Sequence, residues 1–160
     1  MNELTWLVDH GTSMGVQVLA AALCGSVVGY ERARSDGPAG MKTCMLVCVG
    51  ATLYAHVGVV QFETLHEGDP SRIAAQIVSG IGFLGAGAIL RGNEGVTGLT
   101  TAAAIWFIGS IGIIIGCGFP ISGALVTVLV IALMQAVRVV EAHLLPDRAA
   151  RMGAPDGGDV

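Results

Sequence analysis

Charge is what this chain lacks most. Asp, Glu, Lys and Arg make up 12% of its 160 residues, about half the roughly 25% of an ordinary soluble domain. With 53% hydrophobic residues and a mean hydropathy of +0.73, a water-soluble globular domain is excluded. Aromatics are scarce at 5%. A basic surplus is missing too: 8 Lys and Arg stand against 12 Asp and Glu, a net charge of −4, so there is no basic face to hold nucleic acid. The 24 glycines follow no three-residue period and sit among Ala, Val, Ile and Leu, which excludes collagen and disordered linkers. What remains is a small polytopic membrane protein.

A crossing helix needs about 20 mostly apolar residues for roughly 30 Å of hydrocarbon. Five uncharged runs of that order are present: Met14 to Tyr30, Thr43 to Phe62, Ile73 to Leu90, Leu99 to Gly116 and Ile121 to Val137. This predicts an all-α bundle of five spans over residues 14–140, preceded by residues 1–13 and followed by a tail, 141–160. In LTWLVDHG, Trp6 beside Leu4, Leu7 and Val8 suits an interfacial segment; a frayed terminus is the other reading. Glu3 and Asp9 are unlike the basic start of a signal peptide. The tail, with two prolines and mixed charge, reads as a frayed helix end and then disorder. With five spans, Arg32, Arg34, Lys42, Arg91, Arg138, Arg148 and Arg151 fall on one side and Arg72 alone on the other. Basic loops face the cytoplasm, so the expected orientation is N-terminus out and C-terminus in.

Between lipid-exposed helices, small residues let backbones approach. Gly25 and Gly29 form a small-xxx-small pair, Gly80, Gly82, Gly85 and Gly87 crowd the third run, and Gly109, Gly112 and Gly116 share a stripe on the fourth. All are assigned to helix contact. SGIGFLGAG matches G-x-G-x-x-G, but a dinucleotide site needs a preceding strand and a βαβ unit, which an apolar span does not supply. The same glycines could instead unwind the third span, as in discontinuous helices that line a site.

Acidic residues are absent from the middle of every run, leaving His56, Gln76, Ser79, Ser110, Thr127 and Gln135 as the polar candidates. That weighs against a simple magnesium carrier, which needs carboxylates or carbonyls along its path. Cys44 and Cys48 share a helical face, but His56 stands about 12 Å further along, too far for a shared metal. The cysteines read as small packing residues, and no metal or cofactor is expected. The loops between runs one and two and between runs three and four hold Glu31, Arg32, Arg34, Asp36 and Lys42, and Arg91, Asn93 and Glu94, beside Pro38 and Gly40. Two readings stand: solvated anchors, or a polar vestibule with Glu31 and Arg91 paired. Thr97, Thr100 and Thr101 lie where hydroxyls cap a helix start.

Three stretches, ALCGSVVGYERARSDGPAGMKTCMLVCVGA, SGIGFLGAGAIL and GVTGLTTAAAIWFIGSIGIIIGCG, resemble the MgtC/SapB family of bacterial inner-membrane proteins. The resemblance covers about Ala22 to Gly118. Its signature falls on Gly25, Gly29, Glu31, Arg32, Pro38, Ala39, Gly40, Thr43, Gly50, Gly80, Gly82, Gly85, Gly87, Gly98, Leu99, Thr101, Ala102, Ala103 and Trp106, with a basic residue matched by Arg91. Departures are Ala33, Gly37 and Lys42, where the family often has Gln, Lys and Arg; lysine is a point charge where arginine would be a fork. Many family members also carry a soluble C-terminal domain after the fifth span.

The resemblance implies a five-span module linked to growth at low magnesium and, in some pathogens, to survival inside phagocytes. No nucleophile with its base and no phosphate loop in a credible setting is present, so no enzyme is expected. The reading is a regulator or accessory of a membrane transport protein or ATPase, presenting Glu31, Arg32, Pro38, Gly40, Lys42, Arg91, Glu94, Thr97, Thr100 and Thr101 to a membrane-protein partner within the lipid bilayer. The alternative is a small transporter or channel for magnesium or another solute, as a homodimer, with carbonyls supplied by a broken third span.

Overall fold

Among the described residues, apolar runs punctuated by glycine and proline become five helices, and one polar connection becomes a hairpin. The computed structural model describes residues 3–34, 39–66, 69, 71–92 and 95–144, with side chains from residue 13 onward. In order these are α1 (Glu3–Ala33), α2 (Met41–Leu65), α3 (Ser71–Gly87), β1 (Leu90–Gly92), β2 (Gly95–Thr97), α4 (Leu99–Gly116) and α5 (Pro120–Leu144). The strands pair antiparallel, Leu90 opposite Thr97 and Gly92 opposite Gly95.

Four of these helices are long and apolar enough to cross a membrane: Ser13–Ala33, Met41–Leu65, Leu99–Gly116 and Pro120–Leu144. At about 1.5 Å per residue, the 17 residues of α3 reach roughly 26 Å, the lower edge of a span. Large apolar side chains stand open to the surroundings, Phe83 at 80%, Ile121 at 76% and Leu23 at 69% exposed, as hydrocarbon-facing residues are.

Several boundaries differ from the sequence reading, among them the end of α5, which continues past Val137 to Leu144. Helix α1 is one uninterrupted element from Glu3, so the polar start forms the first turns of the helix that continues into the apolar run. Helix α3 stops at Gly87 rather than Leu90, its last turn tightened by bonds from Ala88 N–H to Gly85 O (3.0 Å) and Ile89 N–H to Ala86 O (3.1 Å). Leu90 and the residues after it, expected as span and loop, form the hairpin. The alternative reading, an unwound segment between Ser79 and Ala88, is not found: α3 is continuous through Gly87.

By its contacts the chain divides into two units, Met1–Thr127 and Val128–Val160. In the first, α2 and α4 form the central pair, α1 packs on both, and α3 packs on α4 and less extensively on α2. Matching residues fix the directions. Gly25 and Gly29 lie against Cys44 and Met41, so α1 and α2 are antiparallel; Gly112 and Gly116 lie against Cys48 and Thr52, so α2 and α4 are parallel; Gly109 and Gly85 lie against Ile81 and Ala102, so α3 is antiparallel to α4. Ile108, Ile111 and Ile115 of α4, Val28 of α1 and Cys44, Cys48 and Thr52 of α2 are the largest fully buried side chains. In the second unit, the described part is the remainder of α5, helical to Leu144, where His143 Nδ1 stands 2.8 Å from Val139 O. The expected tail lies outside the described residues from 145 on.

Candidate functional site

Gly29 brings the end of α1 onto the start of α2: a Cβ at this position would stand 2.5 Å from Met41 Cα and 2.9 Å from Gly40 O. One turn below, a Cβ on Gly25 would stand 2.7 Å from Cys44 O and Met45 Cα. Backbone contact this close leaves little solvent around the next residues, and Glu31 and Arg32 are each only 5% exposed. Their charges face each other, Arg32 Nε to Glu31 Oε2, at 3.9 Å, beyond hydrogen-bond range. Buried charges are costly to hold, so this helix end carries charge where an ordinary turn would not.

Because α2 and α4 are parallel and α3 is antiparallel to α4, the α1–α2 turn and the β1–β2 hairpin belong to the same end of the unit. That end gathers exposed Arg34, Lys42 and Arg91 with half-buried Gly40. Glu31 is paired with adjacent Arg32; Arg91 stands exposed on β1 opposite Val96. The Glu31–Arg91 pairing of the vestibule reading is thus not the one described; Glu31 faces Arg32 within α1. Pro38 and Glu94, with Asp36 and Asn93, lie outside the described residues. Thr97 and Thr100 are exposed and Thr101 is 3% exposed. The cap of α4 is not a threonine but Gly98, at φ 82°; its hydrogen stands where any Cβ would run into Ala88 O, so only glycine fits.

The glycines divide by role. Gly112 and Gly116 meet the α2 backbone at Cys48 O (2.5 Å from a Cβ) and Thr52 O, and Gly109 meets the Ile81 side chain. In the third run, Gly85 lies at ordinary distance from Ala102 O (3.5 Å), whereas Gly80, Gly82 and Gly87 have nothing within 4 Å of a Cβ position. Those three are not at a described helix contact.

Two buried polar residues escaped the sequence reading. Gln17 is 6% and Thr52 1% exposed, while Gln76, Ser79 and Gln135 are exposed; His56 at 7% and Thr127 at 2% are buried. Thr52 Oγ1 donates to Gly112 O (3.0 Å) and Thr127 Oγ1 to Gly123 O (2.8 Å). The signal for Thr52 was the small-residue stripe Cys44, Cys48, Thr52 and Ala55 on one helical face. A groove of about 850 Å³ between α2 and α3, with Gly50 and Gly80 in its walls and Arg72 and Asp69 at one end, had no such signal.

At that end Asp69 Oδ1 accepts from Ser71 N–H at 2.9 Å. Hydrogen bonding from the Ser71 side chain and then its N–H holds the Asp69 carboxyl below its ordinary 3.8. All four cysteines are free, Cys24, Cys44 and Cys48 buried and Cys117 exposed; desolvation raises the Cys117 thiol. Among the described residues no group of three His, Cys, Asp or Glu side chains converges on a metal position.

Tightly apposed helices with large exposed apolar side chains define a multi-pass helical membrane protein. The MgtC family model matches residues 18–143, and the chain belongs to the MgtC family. It is 44% identical over 122 residues to the Escherichia coli K12 protein named "Putative magnesium transporter YhiD", covering 71% of this chain and 56% of that one. It is 42% identical over 136 residues to Protein MgtC of Brucella abortus, covering 84% and 55%, and 38% identical over 122 residues to Protein SapB of Bacillus subtilis, covering 72% and 52%. The chain thus spans about half the length of the curated relatives it matches. No solved structure matches it.

Proposed function

We propose that this chain is a non-enzymatic protein of the bacterial inner membrane that serves magnesium homeostasis as a regulator or accessory of a partner membrane transport protein or ATPase. Its five helices cross the bilayer with the N-terminus outside and the C-terminus inside, closed by glycine contacts. The crossing of α3 is supported by its antiparallel run against α4, and the orientation by the basic residues gathered where the α1–α2 turn meets the hairpin. The observation that carries the reading is this shared end: a buried Glu31–Arg32 pair backs a surface of exposed Lys42 and Arg91, suited to a partner's acidic loop. The link to magnesium rests on the name that YhiD carries.

The second reading, a magnesium transporter, is favoured by that same name. The continuous α3 removes the broken-helix carbonyls that such a path would use.

The test is magnesium flux into proteoliposomes holding the full chain, run beside growth at low magnesium of cells carrying Glu31→Ala or Arg91→Ala at equal protein levels. The regulator reading expects no saturable flux and impaired growth with either variant. Saturable flux abolished by the same changes would establish the transporter instead.

A further inference from the structure

The groove between α2 and α3 has a chemistry graded along its length. Leu46 on α2 and Leu84 on α3 mark one end; Gln61, Asp69 and Arg72 mark the other. From Arg72 to Leu84 the α3 wall runs about 18 Å at roughly 1.5 Å per residue, more than half of a hydrocarbon core of about 30 Å. Apolar residues line most of it, and Gly50 and Gly80, with nothing within 4 Å of a Cβ position, leave the walls low. At about 850 Å³ it is of ligand-site size.

We propose that this groove is a phospholipid site: one acyl chain lies along it, and an ethanolamine headgroup places its phosphate on the Arg72 guanidinium and its ammonium on the Asp69 carboxylate. Charge complementarity selects the occupant. Arg72 stands in the first turn of α3 and Asp69 two residues before that helix begins, at the polar end of the groove, and they offer both signs. A guanidinium pairs with phosphate through parallel N–H···O bonds, and Asp69, already accepting from Ser71 N–H, keeps a second oxygen for an ammonium. A transmembrane helix of a second copy would fill the apolar length but would set its own apolar side chains against the charged end, taking water from both charges and offering them no polar group in exchange. A purely anionic lipid would meet Asp69 as a like charge.

The experiment uses the full chain, purified in mild detergent from cells whose membranes contain both ethanolamine and glycerol headgroups. Retained lipid is identified by native mass spectrometry and quantified as phosphorus per protein. The expected result is about one ethanolamine phospholipid per chain, enriched over the membrane's own ratio. Arg72→Gln lowers retention about tenfold or more, the scale of one charge-assisted hydrogen bond. Gly80→Leu expels the lipid by filling the groove where space is open; Gly82→Leu, on the same helix but outside the groove, keeps it. Asp69→Asn, which still accepts from Ser71, shifts the retained lipid toward glycerol headgroups. Should Gly80→Leu lose helix content, Gly50→Leu on the opposite wall gives the same reading. Retention that is absent, equal in all variants or indifferent to headgroup overturns the proposal. A dimer that Gly80→Leu breaks, with no lipid retained in the parent, overturns it in favour of a second copy.

Discussion

Thr52 Oγ1 on α2 donates a hydrogen bond to the carbonyl oxygen of Gly112 on α4 at 3.0 Å, and the two helices come this close because residue 112 has no side chain. A Cβ there would stand 2.5 Å from Cys48 O and 2.7 Å from the Ala51 Cβ. Sixty residues apart in sequence, the two positions hold the central parallel pair in register, and that register puts the basic turn and the hairpin at one end.

Gly112→Ala therefore forces α2 and α4 apart, since the obstructing atoms are backbone and a neighbouring Cβ rather than the tip of a flexible side chain. The expected cost is about 1–3 kcal/mol, the range for overpacked cores. Gly82→Ala, with open space around it, is expected to be neutral or to stabilise by up to about 1 kcal/mol through helix propensity. Reversible unfolding in mixed micelles reads both. Equal effects of the two substitutions would mean that the α2–α4 seam is not as close as described.

Thr52→Val keeps the shape and removes the donor. Interhelical hydrogen bonds in membranes average about 0.6 kcal/mol, so the loss should be of that order and clearly smaller than that of Gly112→Ala. A larger loss in the same unfolding assay would assign Thr52 a role beyond this bond.

Much of this architecture is legible in the sequence, and the misses have physical causes. Uncharged runs locate α2, α4 and α5 because hydrocarbon tolerates little else. The same criterion starts the first span at Met14, whereas helix α1 begins at Glu3, because backbone hydrogen bonding continues through polar turns. It also carries the third run to Leu90, where glycines and the return of the hairpin end the helix at Gly87. Glycine spacing shows that faces are small but not what they meet: Gly112 finds a helix backbone, while Gly80 faces the open groove. The burial of Glu31 and Arg32 is illegible for a related reason. It depends on Gly25 and Gly29 drawing α2 against α1, a tertiary consequence that no local pattern records.

Arg32→Ala removes one member of the buried pair, and the expected destabilisation is about 3–5 kcal/mol. Replacing both, Glu31→Leu with Arg32→Met, removes both desolvated charges and should recover most of that loss. Unfolding of the two singles and the double forms a cycle. Additive losses would show that the two side chains do not act as a pair.

Asp69 sets a pH dependence at the opposite end of α3. Its folded carboxyl lies below the ordinary 3.8 because Ser71 hydrogen-bonds the charged form. The contribution is therefore fully present above the ordinary value and is lost as pH falls through the depressed folded value; near neutral pH it does not vary. Ser71→Ala should move the Asp69 titration back up toward 3.8, followed by carboxyl NMR in micelles. An unchanged titration would mean that another group holds the carboxylate.

Cys117 tests the orientation, because it is the exposed cysteine while Cys24, Cys44 and Cys48 are buried. If α4 crosses from the cytoplasm outward, a membrane-impermeant maleimide added to intact cells reacts with Cys117 and with no other cysteine. Desolvation raises this thiol above its ordinary 9.0, so the reactive thiolate is a small fraction at neutral pH and labelling should accelerate as pH rises. Tags on the two termini separate the span counts: with five crossings they lie on opposite sides, with four on the same side. Labelling of Cys117 only after the cells are opened would reverse the proposed orientation and place the Lys42 and Arg91 surface outside, where an intracellular partner cannot reach it.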